Sequence, residues 1–371
     1  MVSGKARGYL IRMTLSPVFR SREAVLLLEQ QGVWTRLAPD MEAQADAVRA
    51  IYTDLETVLG EEFRKAPRHV PTAAEMNTTA GLEFLQDYFF LILFRSIFGA
   101  LGVSRERLRA YTELNFCIKG TITAADNLFD DQAKTLLPLD ERAGSRFMSI
   151  LQLMAFERLA RRVLDRAEGA YVVTAAERDQ VQRGLLDRMA RIGTLEGSEE
   201  GGVTSIPTPA EMVESVHRVR GGALFALAFV APSVLERGEL GTRLSEAERA
   251  VAQLGTAFQI VDDLTDFEFD LGRRSHNLLV SQVEHFGTPE EKATLQRLRG
   301  DGVGPHGDLV EQHFKESARA VLDRAYAEAR ASFAGLHALG FWMEPALAED
   351  IVHAIVGLDG TRRMEALTGT T

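Results

Sequence analysis

One cysteine, Cys117, stands in a chain of 371 residues. No intrachain disulfide is therefore possible, and nothing points to an oxidising compartment. No secretory leader is expected either: MVSGKARGYLIRMTLSPVFR is mildly basic but has neither an apolar run nor a small-residue cleavage site. We expect a cytoplasmic protein whose N-terminus is an arm or a first helix. Cationic charge is in deficit, with 42 Lys and Arg against 53 Asp and Glu and a formal net charge of -11, which argues against nucleic-acid binding by bulk charge. No transmembrane segment is expected either. The most apolar stretch, LEFLQDYFFLILFRSIFGALG (82–102), is long enough to span a bilayer, but Asp87 and Arg95 interrupt it and favour a buried core helix. Absent too are the HExxH spacing of zinc hydrolases, the GxSxG nucleophile elbow and the phosphate-cradling Walker loop.

Strand patterns, with alternating polarity between turn residues, are almost absent. Apolar residues spaced three and four apart mark 146–165, 209–235, 245–270 and 308–339, which predicts an all-α fold. Hydrophobic residues make up 46% of the chain, enough to fill a large core. Thr208 with Glu211, and Ser245 with Glu248, fit the capping box and are each predicted to open a long helix. Two stretches read as substantial loops, GTLEGSEEGGVTSIPTP (193–209) and RLRGDGVGPHGD (297–308). Neither resembles an interdomain linker. The chain reads as one helical domain over 1–371, with an N-terminal arm and helices over 1–75, a core over 80–285 and C-terminal helices over 308–371.

What the chain does have is carboxylate in apolar surroundings. FQIVDDLTDFEFD (258–270) sets Asp262, Asp263, Asp266, Glu268 and Asp270 among Phe258, Ile260, Val261, Leu264, Phe267 and Phe269. On a helix Asp262, Asp266 and Asp270 stack along one face, with Asp263 beside them. Like charges so placed repel, and burying them requires a compensating cation. A second acidic group, Asp126, Asp130 and Asp131 with Asn127 among them, lies upstream in GTITAADNLFDDQAK (120–134). Two such groups facing each other across a cavity would suit magnesium, which takes one or two carboxylates and completes its shell with water and phosphate oxygens.

These motifs resemble those of the trans-isoprenyl diphosphate synthases, the all-helical fold shared with class I terpene synthases. The resemblance runs roughly over 80–285. Phe258, Gln259, Asp262, Asp263 and Asp266 match the family's second motif, FQxxDDxxD, in full. Asp126 to Asp130 matches the first DDxxD with Asn127 in place of its second aspartate, and RGGALF (220–225) is similar to a KTAxLF segment with arginine for lysine. The resemblance implies a bundle around a central cavity, a prenyl diphosphate substrate, about three Mg2+ ions on the two acidic clusters, and a homodimer by family habit.

The departures matter as much. Elongating members bind isopentenyl diphosphate through a GGKRxRP-like segment before the first motif and an RRG segment after it, and neither is found here. No Arg-Pro dipeptide occurs, and Lys134 is the one nearby cation after Asp131. We therefore expect a one-substrate terpene synthase. The alternatives are a chain-elongating prenyltransferase, a noncatalytic subunit of a heteromeric one, and an unrelated metal-dependent diphosphate hydrolase. No DxDD motif for protonation-initiated cyclisation occurs. Arg220 and Arg218 are fork donors suited to a diphosphate, though either would be ordinary on a helix surface. Gln259, within the matched motif, joins the expected substrate site, and Arg273 and Lys134 are added as cations that would draw charge onto the leaving diphosphate. Gly221 and Gly222 would allow close helix packing or mark a kink. Phe90, Phe116 and Phe225 belong to the core or line the pocket, where ring faces stabilise a cation. Gly120 and Thr121 would leave depth below the metals for a chain of about C15 to C20 or longer.

Overall fold

The computed structural model describes residues 29–129, 133–140, 142, 144–301, 309–355, 363 and 366–367. Among them no strand forms, and an isolated bridge between Arg64 and Leu139 is the one β pairing. The helices are α1 (Val33–Val58), α2 (Thr79–Leu101), α3 (Arg105–Phe129), α4 (Ser145–Gly169), α5 (Ala175–Ser198), a composite α6 (Pro209–Leu235) and α7 (Gly238–Thr265). They are followed by α8 (Phe267–Arg273), α9 (Leu278–Phe286), α10 (Pro289–Asp301), α11 (Leu309–His313), α12 (Lys315–Ala338) and α13 (Ala348–Ile355).

Helix α7 is central, packed along α12 and against α6, while α3 runs along α4 and α1 crosses α2 and α3. Its core side is Leu254, Ala257, Ile260, Val261 and Leu264, the three- and four-residue spacing that the sequence shows. That side fixes the orientation of the acidic one.

Helix α2 is apolar nearly all round, with Phe84, Leu85, Phe89, Ile92, Leu93 and Ile97 all buried. By length and apolarity alone α2 and α6 would both be able to cross a membrane, yet 67% and 56% of their most apolar windows are buried inside the fold, as in core helices. The charge in α2 is compensated: Arg95 Nε lies 3.2 Å from Asp40 Oδ1, and its guanidinium donates to Thr112 Oγ1 at 2.9 Å. A kink at Tyr88 (φ -123°, ψ 15°) frees the Asp87 carbonyl, which accepts from Lys119 Nζ of α3 at 2.5 Å.

The capping box at Thr208 forms, with Glu211 N donating to Thr208 Oγ1 and the Glu211 carboxylate accepting from Thr208 N. The one expected at Ser245 does not. Helix α7 already starts at Gly238, so Ser245 is mid-helix, and Glu248 pairs with Arg188 of α5 instead. The loop expected over 193–209 shrinks because α5 continues to Ser198, and α10 likewise takes 297–301. Residues 302–308 lie outside the described residues.

Helix α6 is not uniform: Val213–Gly222 is wound as a π-helix and Leu227–Phe229 as a 3-10 turn. Close packing is the reason for the glycines. A Cβ on Gly221 would sit 2.4 Å from Gly255 O, and one on Gly255 would sit 2.2 Å from Gly221 O.

Candidate active site

Between α7 and α8 the chain bends at Asp266 (φ -98°, ψ 14°). The four-residue hydrogen bonds nevertheless run through the bend, from Asp266 N to Asp262 O at 2.8 Å and from Asp270 N to Asp266 O at 2.9 Å. Asp262, Asp266 and Asp270 thus remain in register along one side. Burial raises the Asp262 carboxyl well above the usual carboxylate range, Asp266 and Asp263 push it further, and Arg220 and Lys134 oppose only in part. Asp270 is pushed up to about 9, by burial first and the neighbouring aspartates next. Gln259 Nε2 donates to Asp262 Oδ2 at 3.4 Å.

Asp263 departs from the expected metal-ligand role. Its Oδ2 accepts from His217 Nε2 at 2.8 Å and from Leu278 N at 2.5 Å, all in the buried interior. The second aspartate of the motif ties α7 to α6 and to the start of α9. A helix places successive side chains about 100° apart, so Asp262 and Asp263 cannot share an environment.

On the other acidic group, Asp126 is exposed near the end of α3, while Asp130 and Asp131 lie outside the described residues. Asn127 turns inward. Its Oδ1 accepts from Lys134 N at 3.0 Å and its Nδ2 donates to Lys134 O at 2.7 Å, stapling the returning chain. That staple brings Lys134 close enough to lower the Asp262 pKa. Arg273 stacks on Phe269 with 5.2 Å to the ring centroid and donates to Phe129 O at 3.4 Å, linking the second motif to the end of the first. These contacts bring the end of the first motif's helix beside the second motif.

Arg220 points toward the carboxylates but is clamped. Its Nη2 donates to Glu199 Oε1 at 2.6 Å, and its Nε lies 2.5 Å from Glu196 Oε1 without aiming its N–H along that line. Glu199 also accepts from the backbone N–H of His276, and its carboxylate meets His276 Nδ1 at 2.7 Å. Burial alone would raise the Glu199 pKa, but the His276 hydrogen bond and the Arg220 charge bring it below its ordinary value. Arg218 does not share the site. It reaches Glu214 at 3.2 Å and Glu328 of α12 at 4.0 Å, on the half-exposed outer side of α6.

Phe90, Phe94, Phe225 and Phe258 form an aromatic cluster, with centroids 4.6 Å apart for Phe90 and Phe225 and 5.6 Å for Phe90 and Phe258. Phe116 is not in it. It is fully buried, edge-on to Tyr52, Tyr88 and Phe156. Gly120 leaves no depth, because the Phe156 ring occupies that space 2.0 Å from where a Cβ would stand. Thr121 bonds back to Cys117 O and lines a groove between α3, α4 and α5 instead.

Among the described residues no three His, Cys, Asp or Glu side chains converge into a ready metal cage. The chemistry of the donor set still fits a hard cation. Asp262, Asp266 and Asp270 offer only oxygen and crowd one another's charge, which suits an ion that draws its remaining ligands from water and phosphate. Sequence reasoning missed the supporting residues Glu196, Glu199, His217, His276 and Asn277. Asn277 alone had a legible signature, an N-cap ahead of an apolar run. Its Oδ1 accepts from Leu279 N and Val280 N, while its Nδ2 donates to Asp270 Oδ2 at 2.9 Å.

No protein-family model matches the chain, and no curated protein does. Solved structures do match. A decaprenyl diphosphate synthase from Rhodobacter capsulatus superposes with a TM-score of 0.55 at 16% identity, over 87% of this chain and 99% of that one. A geranylgeranyl pyrophosphate synthetase from Pyrococcus horikoshii gives 0.53 at 16% identity, over 91% and 99%. A polyprenyl synthetase from Streptomyces coelicolor gives 0.52 at 17% identity, over 90% and 98%. The fold is that of the trans-isoprenyl diphosphate synthases.

Proposed function

We propose that the chain ionises a prenyl diphosphate as a single-substrate, magnesium-dependent class I terpene synthase. The observation that carries this reading is the crowded face of Asp262, Asp266 and Asp270 in apolar surroundings, with Arg273 reaching from beside it to the end of the helix that bears Asp126. Asp262, Asp266, Asp270 and Asp126 would hold the ions. Bound there, divalent cations would neutralise the carboxylates and draw charge onto the departing diphosphate.

The chain's own groups divide the remaining work. Lys134 and Arg273, between the two motifs, would take up negative charge as the C–O bond breaks. Arg220, held by Glu196 and Glu199, lends its charge to Asp262. The rings of Phe90, Phe94, Phe225 and Phe258 would present π faces to the allyl cation, each worth roughly 0.5 to 2 kcal/mol, and keep water out. The cation would then cyclise and end by proton loss or water capture. No side chain acts as a nucleophile.

Chain elongation is the second reading, favoured by the structural relatives, which are prenyl diphosphate synthases, and by one local feature. Arg68 and His69 precede α2 and line a pocket of about 200 Å³ with Tyr52 and Tyr88. A second diphosphate there would also meet Glu83 and Asp87, and His69 is already 3.1 Å from Glu75. Incubation with Mg2+ and geranyl, farnesyl or geranylgeranyl diphosphate, with and without isopentenyl diphosphate, separates the readings. Terpene hydrocarbon or alcohol with inorganic diphosphate supports the first. A longer prenyl diphosphate appearing only with isopentenyl diphosphate supports the second.

A further inference from the structure

We infer that a cavity behind the second motif is a separate binding site for a ligand with an anionic head and an apolar chain. Its volume is about 510 Å³, within the range of small-molecule pockets. It lies among the turn from α8 to α9, the segment after α5, and α10. Ile206, Met212, Leu271, Val280 and Leu298 supply apolar wall. Arg274, Arg299, Ser275 and Thr204 supply the polar part.

Arg274 is the residue that points to a ligand. It ends α8 at φ 58°, ψ 37°, with Ser275 N donating to Asp270 O at 3.0 Å and Val203 N donating to Arg274 O at 2.9 Å. That left-handed slot at a helix end is where glycine is the usual residue, because a Cβ is disfavoured there. Among the described residues the Arg274 side chain makes no ion pair or hydrogen bond. An exposed cationic side chain thus occupies a backbone slot that suits glycine, and the space it borders is the cavity. Arg299, 3.2 Å from Glu284, is the second cation on the lining.

The cavity shares two walls with the active site. His276 holds Glu199 and through it Arg220, and Asn277 holds Asp270. An occupant would bear on both, so it is placed to alter turnover. That consequence rests on the proposed function; the binding does not.

Calorimetric titration of the full chain in chelator tests the site with dodecyl phosphate, dodecanoate and dodecanol. The two anions should bind at a single site and the alcohol should not, the tighter anion telling a phosphorylated chain from a fatty acid. Arg274→Gly should weaken binding roughly tenfold or more, the scale of losing a charge-assisted contact, while the melting temperature stays level or rises because the left-handed slot suits glycine. Leu298→Trp, filling the half-buried edge, should abolish binding. Asp262→Asn should leave it intact. Equal binding of the alcohol, unchanged affinity in Arg274→Gly, or loss of binding in Asp262→Asn would each overturn the assignment. Binding as expected in a protein that consumes no prenyl diphosphate would overturn the proposed function and leave the cavity standing.

Discussion

At the scale of single residues, neighbouring aspartates of one motif face different environments, and substitution should separate them. Asp262→Asn removes a carboxyl that can ionise only against its neighbours, so in chelator at neutral pH the variant should melt higher than wild type, and with Mg2+ it should release no diphosphate from any substrate. Asp263→Ala strands His217 and the Leu278 N–H in the interior, at a cost of about 1–3 kcal/mol, so it should melt lower. A metal-free Asp262→Asn protein less stable than wild type would argue against the crowding. The same crowding sets a pH dependence. Folding raises the Asp270 pKa from 3.8 to about 9, so the folded state binds the extra proton. Its stabilising contribution is complete below the unfolded value and is lost as pH climbs through the folded one. In chelator the melting temperature should fall from pH 6 to pH 9, and Asp270→Asn should make that slope shallower. Calorimetry across the range decides it.

At the scale of elements, the sequence was legible wherever one short-range rule sufficed. Apolar periodicity located α7 and α12, and the capping box located the start of α6, since both depend on residues within a turn of one another. The same rule failed at Ser245 because nothing local reveals that a helix has already begun seven residues earlier, at Gly238. Helix boundaries at Ser198 and Asp301 were missed for a related reason: glycine-bearing helix ends look like loops until packing holds them. Arg218 and Arg220, two residues apart, face different sides of α6 on any helical winding, with Arg220 the favoured one; which side meets the carboxylates follows from how the π-wound Val213–Gly222 packs against α7. That winding is held by Gly221 against Gly255. Gly221→Ala would drive a methyl group to 2.4 Å from Gly255 O, and relieving the overlap should cost about 1–3 kcal/mol as overpacking does. The variant should melt lower and also lose turnover, since α6 carries Arg220, Phe225 and His217. An unperturbed melting curve would mean that the contact is not constraining.

At the scale of the whole molecule, apolar periodicity gave the all-α class, and the bundle around a cavity came from the resemblance carried by the two acidic motifs and their order. The superpositions reach that fold at 16% and 17% identity, where side chains have diverged but the helix arrangement has not. The space below the candidate site was not readable. Gly120 of α3 meets Phe156 of α4, on a separate helix far along the chain, and no local pattern tells an empty space from one filled by a neighbouring helix. The same limit applies to the second substrate, whose absence was argued from missing basic segments, while Arg68 and His69 come near α2 only in three dimensions. Asp87 and Glu83 beside them decide the expectation. Burial pushes Asp87 up to about 6, with Lys119 and Arg68 opposing, so above that pH the pocket holds a carboxylate that would repel a diphosphate. Product formation at pH 7.5 should therefore be indifferent to isopentenyl diphosphate, and release of inorganic diphosphate should match substrate consumed. Replacing the repelling groups, in Glu83→Gln/Asp87→Asn, is the sharper measurement. If charge is what excludes the second diphosphate, this variant should begin to bind isopentenyl diphosphate, read as inhibition of product formation or as a longer prenyl diphosphate. A wild-type protein that already elongates would mean that Arg68, His69 and Lys119 outweigh the two carboxylates, and the second reading would stand.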